Sequence, residues 1–263
     1  MRTNNPVPAL LINMDRSADR LKWFSDQAEA VGLRFDRIAA IDGERLAIET
    51  LPASWGLTAT LGAEQAAILG CWLSHRKAWQ RAADSGAPWT AIFEDDVHLS
   101  PELASFLADI EWVPVDADAV KLETYCNSAS VSVLSTPARD GRRLHRLSGF
   151  PAGAAGYLIS GRTAAALLAE SELPRHADVV LFDTRCLPAS GLRLYQLVPA
   201  LCVQERRLAA WQDRPSADVS TIPHGPSKPL SRNARMGREI ARLGMQLAAL
   251  TRLQNPRMRV PFK

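Results

Sequence analysis

The chain has 263 residues, 47% hydrophobic and 22% charged, a balance that excludes wholesale disorder and permits a substantial core in one large domain or two small ones. Its four cysteines, Cys71, Cys126, Cys186 and Cys202, form no CxxC pair and have no clustered histidine, so neither a zinc site nor a disulfide framework is expected and the thiols read as reduced. The net charge of +3 hides an asymmetry: residues 228–263 hold nine Lys/Arg against Glu239 alone, a balance of +8, and the rest of the chain sums to −5.

Pro8 to Met14 reads as a buried strand that emerges at polar Asn13 and Asp15. Its apolar run, Ala9 to Ile12, is too short for the core of an export signal, and no window approaches the roughly 20 apolar residues of a membrane span. A cytoplasmic location is therefore expected. Ser17 is placed to cap a helix whose Leu21, Phe24, Ala28 and Val31 fall at helical spacing before Gly32 stops it. Phe35 to Ile41 is a second strand, ending in Asp42-Gly43, and a helix is expected from Ala63 to about Ala83 with Ile68, Trp72, His75 and Trp79 on neighbouring turns. Trp89 to Phe93 is a strand stopped by three acids, Glu94-Asp95-Asp96, and Ser100-Pro101 begins another helix. Ala119 to Thr124 is a further strand, and Val131–Leu134 with Leu144–Leu147 forms a hairpin around residues 139–141. Ala155–Ser160 is a strand, Arg162–Glu170 an alanine-rich helix and Leu192–Val198 a last strand. Strands alternating with helices over the first 200 residues or so indicate an α/β layer fold with a mixed sheet.

Three adjacent carboxylates cost electrostatic free energy unless a cation, hydrogen bonds or water offsets it. At the carboxyl end of a strand in an open α/β sheet they stand where ligands bind. Mg²⁺ and Mn²⁺ take oxygen ligands, often one or two carboxylates plus substrate phosphates. The triplet therefore reads either as a site for such a cation or as a solvated strand end.

Several segments together resemble glycosyltransferase family 25. LLINMDRSADR (10–20) is similar to the family's opening motif and RIAAIDG (37–43) to its second. LGAEQAAILGCWLSHRKAWQRAADSGAPWTAIFEDDVHLS (61–100) matches the longest, and DAVKLE (118–123) and GAAGYLISGRTAAALL (153–168) match two more. The motifs keep the family's order over about residues 8–205. Met14 and Phe93 stand where leucine is usual, and Gly156 stands where alanine more often precedes the tyrosine, which is expected to loosen that site.

The resemblance implies a GT-A-type nucleotide-diphospho-sugar transferase fold, a mixed and mostly parallel sheet flanked by helices, in a domain of residues 1–214. It implies an inverting, metal-dependent hexosyltransferase acting from a UDP-sugar, galactose or glucose favoured, on a saccharide acceptor of a bacterial surface glycan. Mn²⁺ or Mg²⁺ would be held by Glu94 and Asp96. Donor contacts would come from Asn13, Arg16, Arg20, Ser74, His75, Asp95 and Tyr157, with Asp95 facing either the ribose or the protein. Ser160 and Gln204 are weaker candidates. An inverting displacement needs a base for the acceptor proton, and Asp178, Asp183 and Glu123 are the candidates, Asp178 favoured. A phosphate-ester hydrolase and a non-catalytic nucleotide-sugar-binding module are the alternatives.

Residues 215–229, rich in Pro, Ser, Thr and Gly, read as a linker to a basic tail over 230–263. From Arg232 to Leu253 a helix would align Met236, Ile240, Leu243, Leu247 and Leu250 in one stripe, with Arg235, Arg238 and Arg242 away from it. Such a helix binds an anionic membrane surface, as a lipid-linked acceptor would require, or docks on protein. Nucleic acid is not expected, because no aromatics interleave the arginines.

Overall fold

The computed structural model describes residues 6–55, 57, 61–170, 175–185, 189–212 and 254–263. The expected linker and the helix expected over 232–253 lie outside them. In chain order the elements are β1 (Ala9–Asn13), α1 (Ala18–Val31), β2 (Asp36–Ala39), α2 (Ala63–Asp84), β3 (Trp89–Glu94), β4 (Val97–Leu99), α3 (Leu103–Leu107), β5 (Ala119–Lys121) and β6 (Glu123–Thr124). There follow β7 (Ser128–Pro137), β8 (Arg143–Leu147), β9 (Gly156–Ser160), α4 (Gly161–Glu170), α5 (Ala177–Phe182), β10 (Leu194–Val198), β11 (Cys202–Gln204), α6 (Glu205–Trp211) and β12 (Gln254–Arg259).

Nine strands form one mixed sheet in the order β12-β7-β8-β10-β5-β9-β3-β1-β2, and β4-β11-β6 form a small second sheet. The large sheet is parallel at its β2-β1-β3 end and again between β5 and β10. Antiparallel β9 is inserted between β3 and β5. The α/β class and mixed sheet are those expected from the sequence.

Central strands read as unbroken apolar runs because both faces of the sheet are covered. Successive side chains point to opposite faces, so Leu11, Phe93 and Leu158 join Phe24 and Ala28 of α1 and Leu103 and Phe106 of α3 on one side. Leu10, Ile12, Ile92, Tyr157 and Ile159 meet Leu69, Trp72 and Trp79 of α2 and Leu167 of α4 on the other.

Gly32 ends α1 in the left-handed region at φ 74°, its N–H reaching Ala28 and Glu29 carbonyls, as the sequence indicated. Ser17 does not cap that helix as expected; its hydroxyl accepts instead from Arg20 at 3.4 Å. Gly43 and Gly70 pack face to face: a Cβ on Gly43 would fall 1.7 Å from the Ala66 carbonyl oxygen, and one on Gly70 2.7 Å from the Ile41 oxygen. Their bareness lets the segment after β2 lie directly on α2.

The last ten residues, counted with the basic tail on sequence grounds, pack on the body. β12 pairs antiparallel with β7, Val260 is buried, and Ala200 N–H donates to the Pro261 carbonyl at 2.8 Å. Arg142, itself buried, donates to the Lys263 carbonyl at 3.0 Å.

Candidate active site

A cleft opens at the carboxyl ends of β1, β2 and β3, where an α/β sheet binds its ligands. It is lined by Asn13's neighbours Ile12 and Met14, by Arg16 and Arg20, by Asp42 and Gly43, by Cys71, Ser74 and His75 of α2, and by Glu94, Asp95, Asp96 and Gln204.

The three acids have three environments. Asp95 is 6% exposed and faces the protein: Asn13 Nδ2 donates to its Oδ2 at 2.7 Å and Arg20 pairs with its Oδ1 at 3.3 Å. Asn13 is oriented in turn by Arg37, whose Nε donates to Asn13 Oδ1 at 2.8 Å. Glu94 and Asp96 turn to the cleft on either side of the Gln204 carboxamide. Its Nε2 donates to Glu94 Oε2 at 3.2 Å and to Asp96 Oδ2 at 3.1 Å. Gln204 arrives there because β11 pairs with β4, Gln204 opposite Val97, and Glu205 N–H bonds the Asp96 carbonyl at 2.8 Å.

Glu94 Oε1 lies 3.1 Å from His75 Nε2, and His75 Nδ1 lies 2.9 Å from the Tyr157 hydroxyl, which also accepts from Trp79 Nε1 at 2.8 Å. Trp79 can only donate, so the Tyr157 proton is free to go to Nδ1, leaving the Nε2–H tautomer to donate to Glu94. Burial holds His75 down at about 4, against the opposing pull of Asp178 and Glu123, so the ring is neutral near pH 7. Burial pushes Glu94 up to about 8, helped by the negative charges of Glu123, Asp95 and Asp178.

Of the expected donor residues, Asn13 supports the site from behind through Asp95, and Arg16 stands at the mouth paired with Asp42. Ser74 spends its hydroxyl on the Gly70 carbonyl at 2.6 Å and on the Ile41 N–H at 2.8 Å, which pins the segment carrying Asp42. Tyr157 is fully buried and touches the cleft only through His75. Ser160 is also buried, bonded to Thr163 at 2.7 Å at the start of α4.

The three base candidates separate by access. Glu123 is fully buried beside Lys121, whose Nζ lies 2.8 Å from its Oε2, and the Ala155 N–H donates to the same oxygen at 2.8 Å. Asp183 is buried and held by the Arg185 guanidinium at 2.7 and 2.8 Å. Asp178, in the first turn of α5, is only partly buried and accepts the Gly153 N–H at 2.9 Å. Gly153 has φ 94°, and a Cβ there would stand 2.5 Å from Glu123, so only glycine fits. Lys121, bonded to the Gly153 carbonyl, fixes the backbone that in turn holds Asp178.

Cys71, Asp42 and the bridging place of Gln204 were not assigned from the sequence. The IDG of 41–43 was the available signal for Asp42, since its glycine is the one that meets α2.

Gly156 does not loosen its surroundings. A Cβ there would lie 2.1 Å from Cys202 Sγ, so the thiol fills the space that alanine would need.

A family model described as glycosyltransferase family 25 (LPS biosynthesis protein) matches residues 7–181. A lacto-N-neotetraose biosynthesis glycosyltransferase, LgtB, of Neisseria meningitidis serogroup B is 32% identical over 230 residues, 81% of this chain and 81% of that protein. LgtB of Neisseria gonorrhoeae is 34% identical over 194 residues, 69% of this chain and 67% of the relative. The lipooligosaccharide biosynthesis protein lic2B of Haemophilus influenzae is 30% identical over 143 residues, 52% and 54% of the two chains.

Proposed function

The chain belongs to glycosyltransferase family 25, and from that premise we propose that it moves a hexose, galactose or glucose, from a UDP-sugar to a saccharide hydroxyl with inversion at the anomeric carbon. The acceptor is a growing lipopolysaccharide or lipooligosaccharide, the class of glycan named in the family description and in the name of the lic2B relative. Membership of a transferase family favours sugar transfer over phosphate-ester hydrolysis.

The observation that carries the reading is the pair Glu94 and Asp96 turned to one cleft with an amide between them. This donor set fits a divalent Mn²⁺ or Mg²⁺ ion. Two carboxylates face each other, and Gln204 can present its carbonyl oxygen by turning its amide over. Burial together with the neighbouring acids Glu123, Asp95 and Asp178 raises Glu94, a setting that a cation's charge would relieve. When bound, the cation supplies Lewis-acid stabilisation of the charge that grows on a departing diphosphate. Arg16 and Arg20 border the same cleft, where a guanidinium's planar fork suits phosphate or ribose. Asp95 and Asn13 hold Arg20 and the acidic turn in place. Asp178 accepts the acceptor's hydroxyl proton, being the one of the three base candidates not enclosed by protein.

The test is incubation with Mn²⁺ and a panel of UDP-sugars, with and without lipooligosaccharide acceptors, following UDP release and sugar on the acceptor. Acceptor-dependent release abolished by a chelator is the expected result. UDP binding without turnover would make the chain a binding module, and transfer indifferent to chelator would remove the cation from the reading.

A further inference from the structure

Cys71 and His75 stand one turn apart on α2 and line the cleft beside Glu94. One ligand atom from each, a thiol sulfur, an imidazole nitrogen and a carboxylate oxygen, all lie within 4.8 Å of one another. His75 Nε2 and Glu94 Oε1, 3.1 Å apart, are already near the roughly 3.4 Å that separates two N/O ligands in a tetrahedral zinc shell with bonds of about 2.0–2.1 Å. The imidazole also has the outer contact that a metal-bound histidine uses. Its Nδ1 meets the Tyr157 hydroxyl at 2.9 Å, and that oxygen has a second lone pair beyond the one taken by Trp79. In the metal-free site Nε2 carries the ring proton, so metal binding goes with a switch to the other tautomer. Nδ1 then donates to the Tyr157 oxygen instead of accepting from it, and Nε2 is left with a lone pair for the metal.

This set differs in chemistry from the carboxylate pair next to it. Glu94 and Asp96 offer hard oxygens. Thiolate with imidazole and one carboxylate selects a softer ion that tolerates four-coordination. We propose that Cys71, His75 and Glu94 form a site for a thiophilic divalent ion of the Zn²⁺ class, open to the cleft at its fourth position, and that filling it excludes the oxygen-liganded cation because the two sites share Glu94. As the metal–sulfur bond forms, the Cys71 thiol proton leaves to solvent. The exclusion rests on the proposed function; the site itself does not. Cysteine spacing gave no sign of it, because the third ligand comes from a strand 19 positions beyond His75.

Co²⁺ serves as the probe, because a thiolate–cobalt bond gives a near-ultraviolet charge-transfer band and tetrahedral Co²⁺ absorbs strongly in the visible. The purified full chain should develop both, saturating at one equivalent, and Zn²⁺ should bleach them. Cys71→Ser and Cys71→Ala should lose the charge-transfer band, Cys126→Ser should keep it, and Tyr157→Phe should weaken Co²⁺ binding by about 10–100-fold. No band in the parent protein, or a band that survives in both Cys71 variants, overturns the site. For the exclusion, electron spin resonance of free Mn²⁺ should show Zn²⁺ releasing bound Mn²⁺ from the parent and not from Cys71→Ser at the same Zn²⁺ concentration. Simultaneous binding of both ions overturns it. If the chain binds no Mn²⁺ and transfers no sugar, the cobalt spectra still decide the Cys71 site, so the two failures are distinguishable.

Discussion

Asp95 sits buried against Asn13 and Arg20 while its two neighbours turn to the cleft. Two-residue alternation at a strand end gives that split, and it makes the three acids respond differently to change. Asp95→Asn should act mainly on stability through the lost Arg20 pair, whereas Asp96→Asn should act on cation binding. Glu94 links both properties to pH. Its folded pKa of about 8 lies above its ordinary value of 4.5, so the folded chain keeps this proton longer than the unfolded chain. Its contribution to stability therefore declines as pH rises from about 4.5 toward 8. Denaturant titrations between about pH 5 and 8 should show Glu94→Gln gaining on the parent protein as pH rises. A cation must displace the same proton, so Mn²⁺ affinity should climb about tenfold per unit from about pH 6 and flatten above 8. A flat calorimetric profile would contradict the environment described for Glu94. Asp178→Asn should lower turnover by about 10²–10⁴ with UDP affinity nearly intact; full activity would exclude it as the base. Arg16, Arg20, His75, Glu94 and Asp96, all singled out by motif order in the sequence, border the cleft in the structure. Asn13 and Tyr157 belong to the same motifs yet lie buried behind it, and one-dimensional spacing does not tell lining from support.

β9 and β11 show how one element fixes another. Gly156 pairs with Phe93 across the ladder, and the space above it is taken by Cys202 of β11. Gly156→Ala should overpack this contact and cost about 1–3 kcal/mol. Cys202→Ala opens the space, so the double variant should recover most of that loss, a coupling that chemical denaturation of all four proteins can measure. Additive losses would mean that the thiol is not what the methyl meets. The long elements, β1, α1, α2, β3 and β9, were readable from apolar periodicity. The small sheet of β4, β11 and β6 was not: only β6 fell within an expected strand, Ala119 to Thr124. Its strands are two or three residues long, and their pairing is set by the turn at Asp95-Asp96 and by tertiary contact. That sheet delivers Gln204 to the acids, so the least legible element completes the cation site proposed above.

For the whole molecule, the α/β class followed from the alternation of strand and helix patterns, while the insertion of antiparallel β9 and the return of β12 depend on contacts between residues far apart in sequence. No helix among the described residues is long and apolar enough to cross a membrane. Surface binding to anionic lipid is the role proposed here for the basic stretch 232–253. Truncation at Ser227 would also remove β12 from the sheet. A cleaner variant keeps residues 254–263 and carries Arg235→Gln, Arg238→Gln and Arg242→Gln. At about 1 kcal/mol per basic side chain near an anionic surface, partition onto phosphatidylserine vesicles should fall roughly a hundredfold. Equal sedimentation of variant and parent would end the membrane reading.

The docking of β12 also has a mechanical consequence. The final strand is held to the body by pairing with β7, by Val260 and by the Arg142 grip on Lys263. A protease cut anywhere between 213 and 253 would sever the covalent path without releasing the final strand. The two fragments should travel as one particle through native chromatography and part only in denaturant, the short piece acting as a removable ligand for the sheet edge it normally completes.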